Sequence, residues 1–179
     1  YIEYGQKNGV SGEWIKQLEN ASARYHISWL DALKLQMREH VEELTAAELY
    51  EILRVRMAVF IVEQKCPYQD IDGVDHISTH FFYEERGKVL AYLRVFPRDR
   101  ESGIFQIGRV LTVRRGCGLG KALMEDALGL IKTEGVAEKL IMEAQSHAIG
   151  FYEGLGFRVR SDEFLEDGIP HVMMEMGLK

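Results

Sequence analysis

FQIGRVLTV (Phe105–Val113) runs without a break into RRGCGLGKALMEDALGLIKTEG (Arg114–Gly135). The first segment is rich in Val, Ile and Phe and alternates in polarity, the pattern of a strand. The second has apolar residues at Leu119, Leu123, Ala127, Leu130 and Ile131, the spacing of one helix face. Gly135, after Lys132, marks the end of that helix. Between strand and helix lies a basic, glycine-rich turn. Such a unit offers unpaired backbone N–H groups and the positive end of a helix dipole to a guest at the turn. Gly118 and Gly120 let the guest approach the backbone, and Arg114, Arg115 and Lys121 add positive charge. The spacing therefore predicts an anionic, phosphate-bearing ligand.

Outward from this unit the chain alternates between helical and strand patterns. Thr45 and Glu48 are spaced as a capping box, with Leu44 and Leu49 as a hydrophobic staple. They predict a helix through Leu53, Met57 and Phe60 that ends before Pro67. Residues 1–44 read as a helical extension, with Trp14, Ile15, Leu18, Ala21 and Tyr25 at helical spacing. His80–Glu85 and Lys88–Phe96 flank Arg86-Gly87 as a hairpin. Glu138–Ala144 reads as a strand, Ala148–Leu155 as a short helix and Phe157–Ser161 as a strand. A loop, EDGIP, leads to a closing strand at His171–Gly177. Phe151 and Leu155 are expected in the core. Without repeats or linkers, residues 45–179 read as one α+β domain on a mixed sheet.

At 179 residues the chain is long enough for one full core. A net charge of −6 disfavours nucleic acid as a partner. No apolar run predicts a membrane span and no signal peptide is read, so no membrane is expected. Two cysteines, Cys66 and Cys117, make no disulfide framework, and a cytoplasmic location is expected.

Two nucleotide readings of the turn fail. A Walker loop needs Ser or Thr after Gly-Lys, where Ala122 stands, and its glycine spacing is absent. A dinucleotide fingerprint needs a third glycine where Leu123 stands. What fits is Arg115-x-x-Gly118-x-Gly120, which resembles the turn of the GNAT superfamily of acetyl-CoA-dependent N-acetyltransferases. A second block downstream, Ala144-Gln145-Ser146-His147-Ala148 followed by Phe151-Tyr152-Glu153-Gly154-Leu155-Gly156-Phe157, resembles that superfamily's second cofactor motif. Val59–Asp75 (VFIVEQKCPYQDIDGVD), the AQxH before the tyrosine and the ending Glu166–His171 (EDGIPH) together resemble the ElaA-like family within it.

The resemblance implies a mixed, mostly antiparallel central sheet flanked by helices, with the N-terminal helical segment as an addition. It implies acetyl-CoA as cosubstrate. No calcium-loop pattern of glycine and terminal glutamate completes the aspartates at Asp70, Asp72 and Asp75, so no metal is expected. Leu111, Thr112 and Val113 would pair with the pantetheine arm as an added strand. Arg115, Gly116, Cys117, Gly118, Leu119, Gly120 and Lys121 would hold the pyrophosphate. Gln145 matches a position that touches pantetheine, and Tyr152 the tyrosine that faces the sulfur. Here Val113 is followed at once by Arg114-Arg115-Gly116, a shorter junction than is usual in the superfamily.

The implied reaction is transfer of an acetyl group to an amine by direct attack. The amine must first lose a proton, the developing oxyanion needs a donor such as a strand amide near Leu111, and Tyr152 is the candidate general acid. Glu63 and Glu143 are the candidate bases. Asp70, Asp72, Asp75 and His147 are the candidate acceptor-binding residues, since three aspartates could hold a cationic amine; a solvated loop is the plain alternative. Cys117 reads as a small residue filling the turn, and His171 as structural. The expected acceptor is a small-molecule or protein amine, and a homodimer is possible on this reading. The competing function is an acyl-CoA-binding sensor or interaction module with little catalysis.

Overall fold

The structure is a computed structural model and describes residues 34–38 and 40–179. Thr45 accepts a hydrogen bond from the Glu48 N–H at 3.2 Å, and Glu48 Oε2 accepts from the Thr45 N–H at 2.7 Å. This reciprocal capping box starts helix α1, Ala46–Arg56. Leu44 and Leu49, the expected staple, both join one apolar cluster. Without breaking, α1 widens into a π-helical stretch, Met57–Glu63, closed by the Gln64 N–H on Val59 O at 3.2 Å. Such stretches are rare and tend to mark functional sites. Here it sets Val59, Phe60 and Gln64 against a large cleft.

The strands are β1 (Lys34–Arg38), β2 (Thr79–Glu85), β3 (Lys88–Asp99), β4 (Ile104–Thr112), β5 (Lys139–Gln145), β6 (Arg158–Val159), β7 (Phe164–Glu166) and β8 (Ile169–Gly177). Their order in the sheet is β1-β2-β3-β4-β5-β8-β6, with β7 pairing β8. The β4–β5 pair is parallel and the pairs β2–β3, β3–β4, β5–β8, β6–β8 and β7–β8 are antiparallel. This is the mixed, mostly antiparallel α+β sheet expected. Helix α2, Leu119–Glu134, follows β4, and the short α3, Ile149–Glu153, follows β5.

The sheet is covered on both sides. Phe82, Tyr92 and Leu111 pack with Ile52, Val55 and Val59 of the first helical segment. Tyr83, the neighbour of Phe82, donates instead to Asp126 of α2 at 2.6 Å, as alternation along a strand requires. Helix α2 buries Leu119, Leu123, Met124, Ala127, Leu128 and Ile131. Leu130, expected on that face, is exposed; Met124 and Leu128 fill it instead.

Several boundaries differ from expectation. The expected helical extension at 1–44, with its spaced residues up to Tyr25, lies outside the described residues as far as Leu33. Lys34–Arg38, within it, is the strand β1. The predicted loop EDGIP is the tip of a hairpin: Phe164 pairs His171 and Glu166 pairs Ile169. Asp167 and Gly168 turn it at φ 50° and 79°, a turn with two left-handed residues. The Asp-Gly signal was present, but β7 has only three residues to pattern. The strand predicted at Phe157–Ser161 shrinks to Arg158–Val159.

Candidate functional site

Everything at the site depends on how β4 leaves β5. The two strands pair only from Ile104–Gln106 to Lys139–Ile141. Beyond that point Arg109 sits at φ 56°, a left-handed conformation rare for a residue with a Cβ. The β3–β4 register shifts between Tyr92 and Arg94, which makes this a β-bulge. Past it, β4 and β5 diverge, and a cleft of about 730 Å³ opens, with walls that include Val110, Leu111, Thr112, Ala144 and Gln145.

The edge of β4 that faces this cleft can be read from one bond. The Val113 N–H donates to Leu90 O of β3 at 2.9 Å. With a period of two, the Leu111 amide also faces β3, while the amides of Val110 and Thr112 face the open side. Of the strand amides near Leu111, those of Val110 and Thr112 are therefore the ones on the open side. The Leu111 side chain is buried in the α1 cluster, and Val113 is not in the cleft wall.

At the far end of β4 comes the basic turn. Gly118 takes φ 84° at the start of α2, where a side chain would be strained. No side chain caps this helix, so its first N–H groups are left for the guest. Arg115, Gly116, Gly118, Leu119, Gly120 and Lys121 line the cleft here, and so does Arg114. A Cβ on Gly120 would lie 3.3 Å from Thr112 Cγ2, so glycine lets helix and strand approach. Cys117 is turned away: its thiol donates to Arg114 O at 3.3 Å, and it lies outside the wall. The guest predicted from sequence, an extended anion-bearing molecule, fits a cleft with donors at one end and an open strand edge along one side.

Tyr152 lines the same cleft from α3. Its ring meets Phe151 and Phe157 edge-on, with centroids 5.0 Å and 6.2 Å away. Burial pushes its phenol up to about 12, so it carries its proton at neutral pH. Phe151, expected in the core, is exposed and lines the cleft. Gln145, at the end of β5, donates to Gln64 Oε1 at 3.0 Å, which ties β5 to the end of the π-helical stretch. His147 is exposed at the cleft wall.

The acidic loop has a different role from the one expected. Asp70 Oδ2 accepts from Arg56 Nε at 2.9 Å, and its Oδ1 from Arg109 Nε at 2.7 Å. Asp75 Oδ1 takes Arg56 and Arg94, both at 2.8 Å, and Asp72 takes Arg94 and Arg109. Burial works to raise the Asp72 carboxyl, but Arg94 outweighs it and brings it to about 2. These three carboxylates balance three guanidiniums and are not presented to an amine acceptor. Sequence spacing could not show this, because the arginines come from three other elements. Among the described residues no group of three His, Cys, Asp or Glu side chains could hold a metal.

The two candidate bases separate. Glu63 is ion-paired with Arg115 of the turn and is not in the cleft wall. Glu143 is exposed into the cleft and accepts from Gln106 Nε2 at 3.3 Å. Beside it the fold brings residues that the sequence reading did not select for the site. Glu166, on β7, lines the same end, with His171 Nε2 3.8 Å from its Oε2. Arg109, the bulge residue, stacks near Phe60 and Tyr68. Only the EDGIPH motif pointed towards Glu166, and there it read as loop.

Comparison with known proteins agrees with this geometry. A family model described as an acetyltransferase (GNAT) domain matches residues 38–178. Protein ElaA of Escherichia coli is 37% identical over 139 residues, covering 75% of this chain and 91% of ElaA. A crystal structure of an acyl-CoA N-acyltransferase from Pseudomonas aeruginosa superposes with a TM-score of 0.73 at 39% identity, covering 80% of this chain and 98% of that one. The crystal structure of Escherichia coli ElaA superposes with the same TM-score at 35% identity and the same coverage.

Proposed function

Since this chain belongs to the GNAT acetyltransferase family and is ElaA-like, we propose that it transfers an acetyl group from acetyl-CoA to an amine. The observation that carries this reading is the continuity of one cleft. The glycine turn, the open edge of β4, Tyr152 and Glu143 all line it.

CoA supplies an acyl group activated as a thioester. The free amides at the start of α2 bind pyrophosphate, with Arg114, Arg115 and Lys121 adding charge. The open-side amides of Val110 and Thr112 pair with the extended arm, or donate to the carbonyl oxygen as it gains charge. Gln145, held by Gln64, lies along the same arm. Tyr152 Oη holds the proton that the departing sulfur needs. The amine must arrive neutral or be made so, and a carboxylate at the Glu143 end accepts its proton.

Thiol release from acetyl-CoA across a panel of amines, run beside calorimetric binding of CoA, tests the reading. Release that depends on an amine supports it. CoA binding with no release on any amine would turn the assignment to an acyl-CoA-binding module, and absence of binding would overturn both.

A further inference from the structure

The end of the cleft away from the turn carries two carboxylates from different elements. Glu143 comes from β5 and Glu166 from β7. Both line the same cleft; partial burial raises the Glu166 carboxyl, and the charge of Glu143 raises it further. The other charged groups around Glu166 are His171 of β8, Asp167 of the β7–β8 turn and Arg109 of β4. Arg109 is already bound to Asp70 and Asp72. His171 is fixed through Nδ1 on Ile169 O at 2.8 Å.

A third acceptor group stands beside Glu143. Gln106, on β4, is only 8% exposed and lines the same cleft. Its amide nitrogen donates to Glu143, and its buried amide oxygen has no hydrogen-bond partner among the described residues. An unpaired buried acceptor is costly, so a ligand that brings a donor is favoured there. An ammonium group has three N–H donors and no acceptor. It complements two carboxylates and an amide oxygen as a neutral or anionic group does not.

We propose that this end is a two-point ammonium site. Glu166 receives the amine that is acetylated, and Glu143 with Gln106 holds a second cationic group of the same acceptor, which is therefore a diamine-type molecule. The inference rests on the acetyltransferase reading and names its substrate class. Charge accounting separates the two roles. The attacking nitrogen must first give a proton to Glu166, which neutralises both partners. Glu143 then lacks a counter-charge unless the acceptor brings another. The freed lone pair forms the C–N bond as the C–S bond breaks, and the sulfur leaves with that electron pair and takes the Tyr152 proton. The second proton lost from nitrogen restores Tyr152 through solvent, and Glu166 releases the first. One proton is produced per turnover.

The test uses the full chain, acetyl-CoA and a series of α,ω-diamines from ethylenediamine to 1,6-diaminohexane, each against its monoamine. At one or more lengths kcat/KM should favour the diamine by about tenfold or more, the scale of a charge-assisted hydrogen bond. Glu143→Gln should collapse that ratio towards parity, mainly through KM for the diamine. Glu166→Gln should lower kcat on both amine types and remove the acidic limb of the pH–rate profile. Parity in the unmodified protein at every length overturns the two-point site while leaving the acetyltransferase reading standing. So does a ratio that survives Glu143→Gln. Binding of CoA without thiol release on any amine overturns the acetyltransferase reading and this site with it.

Discussion

Arg109 Nε lies 2.7 Å from Asp70 Oδ1, and this contact joins the bulge that opens the cleft to the loop after the π-helical stretch. Asp70 is in turn held by Arg56 of α1. The strained conformation of Arg109 thus persists because two aspartates and two aromatic rings hold its side chain. The cleft and the ion network form one structural unit.

Arg56→Ala should therefore be the most damaging single change in that network. It leaves Asp70, with a side chain only 1% exposed, and Asp75 without the buried guanidinium they share. Removing one member of a buried pair costs about 3–5 kcal/mol. Urea unfolding should show a loss of that order; a change below about 1 kcal/mol would contradict the network's role.

Acid should weaken the fold through the same residues. Burial opposes ionisation of Asp72 and Asp75, but Arg94 and Arg56 win, and both carboxyls sit below their ordinary range, Asp72 at about 2. The unfolded chain then takes up protons first as pH falls. The stabilisation is fully present above roughly pH 4 and is lost progressively towards pH 2. Denaturant midpoints measured across that window should fall, and Asp72→Asn should flatten the slope.

At the turn, Gly120→Glu places a Cβ against Thr112 and a negative charge among the free amides. Affinity for CoA should drop on the order of 100-fold or more, about 3 kcal/mol, with the circular dichroism spectrum retained. Calorimetry giving an unchanged Kd would remove the pyrophosphate from this turn.

Tyr152→Phe keeps the edge-on ring contacts to Phe151 and Phe157 and deletes only the hydroxyl. As a general acid is worth about 10²–10⁴ in rate, kcat should fall by at least the lower figure. CoA affinity should stay within about twofold, since the ring still packs. A kcat equal to that of the unmodified protein would take the acid role from Tyr152.

Thr45→Ala removes one half of the capping box and should cost about 1 kcal/mol. Because α1 leads directly into the π-helical stretch at the cleft, a lower melting temperature should come with unaltered thiol release per folded molecule at moderate temperature.

Local signals were legible where they depend on neighbours in the chain. The capping box at Thr45, the hairpin at Arg86-Gly87 and the turn at Gly118 each act within a few residues, so their chemistry is written in order along the sequence. The acidic loop was misread because what decides its role is the set of partners it meets. Asp70, Asp72 and Asp75 look identical on paper whether they face water, a ligand or Arg56, Arg94 and Arg109. Glu63 and Glu143 were likewise equal as candidates until the fold placed one on Arg115 and the other in the cleft.

What the sequence by itself determined is the strand, the basic turn and the helix from Phe105 to Gly135, together with Tyr152 downstream. Periodicity and glycine placement act locally, and they suffice to call for an anion at the turn. What only the tertiary structure decided is which edge of β4 is open and which carboxylates line the cleft. The bulge at Arg109 turns the amides of Val110 and Thr112, rather than that of Leu111, towards the cleft. Hairpin pairing of β7 with β8 carries Glu166 into the cleft that Glu143 lines. Both follow from hydrogen-bond register between strands distant in the chain, and register is set by partners that no local stretch contains.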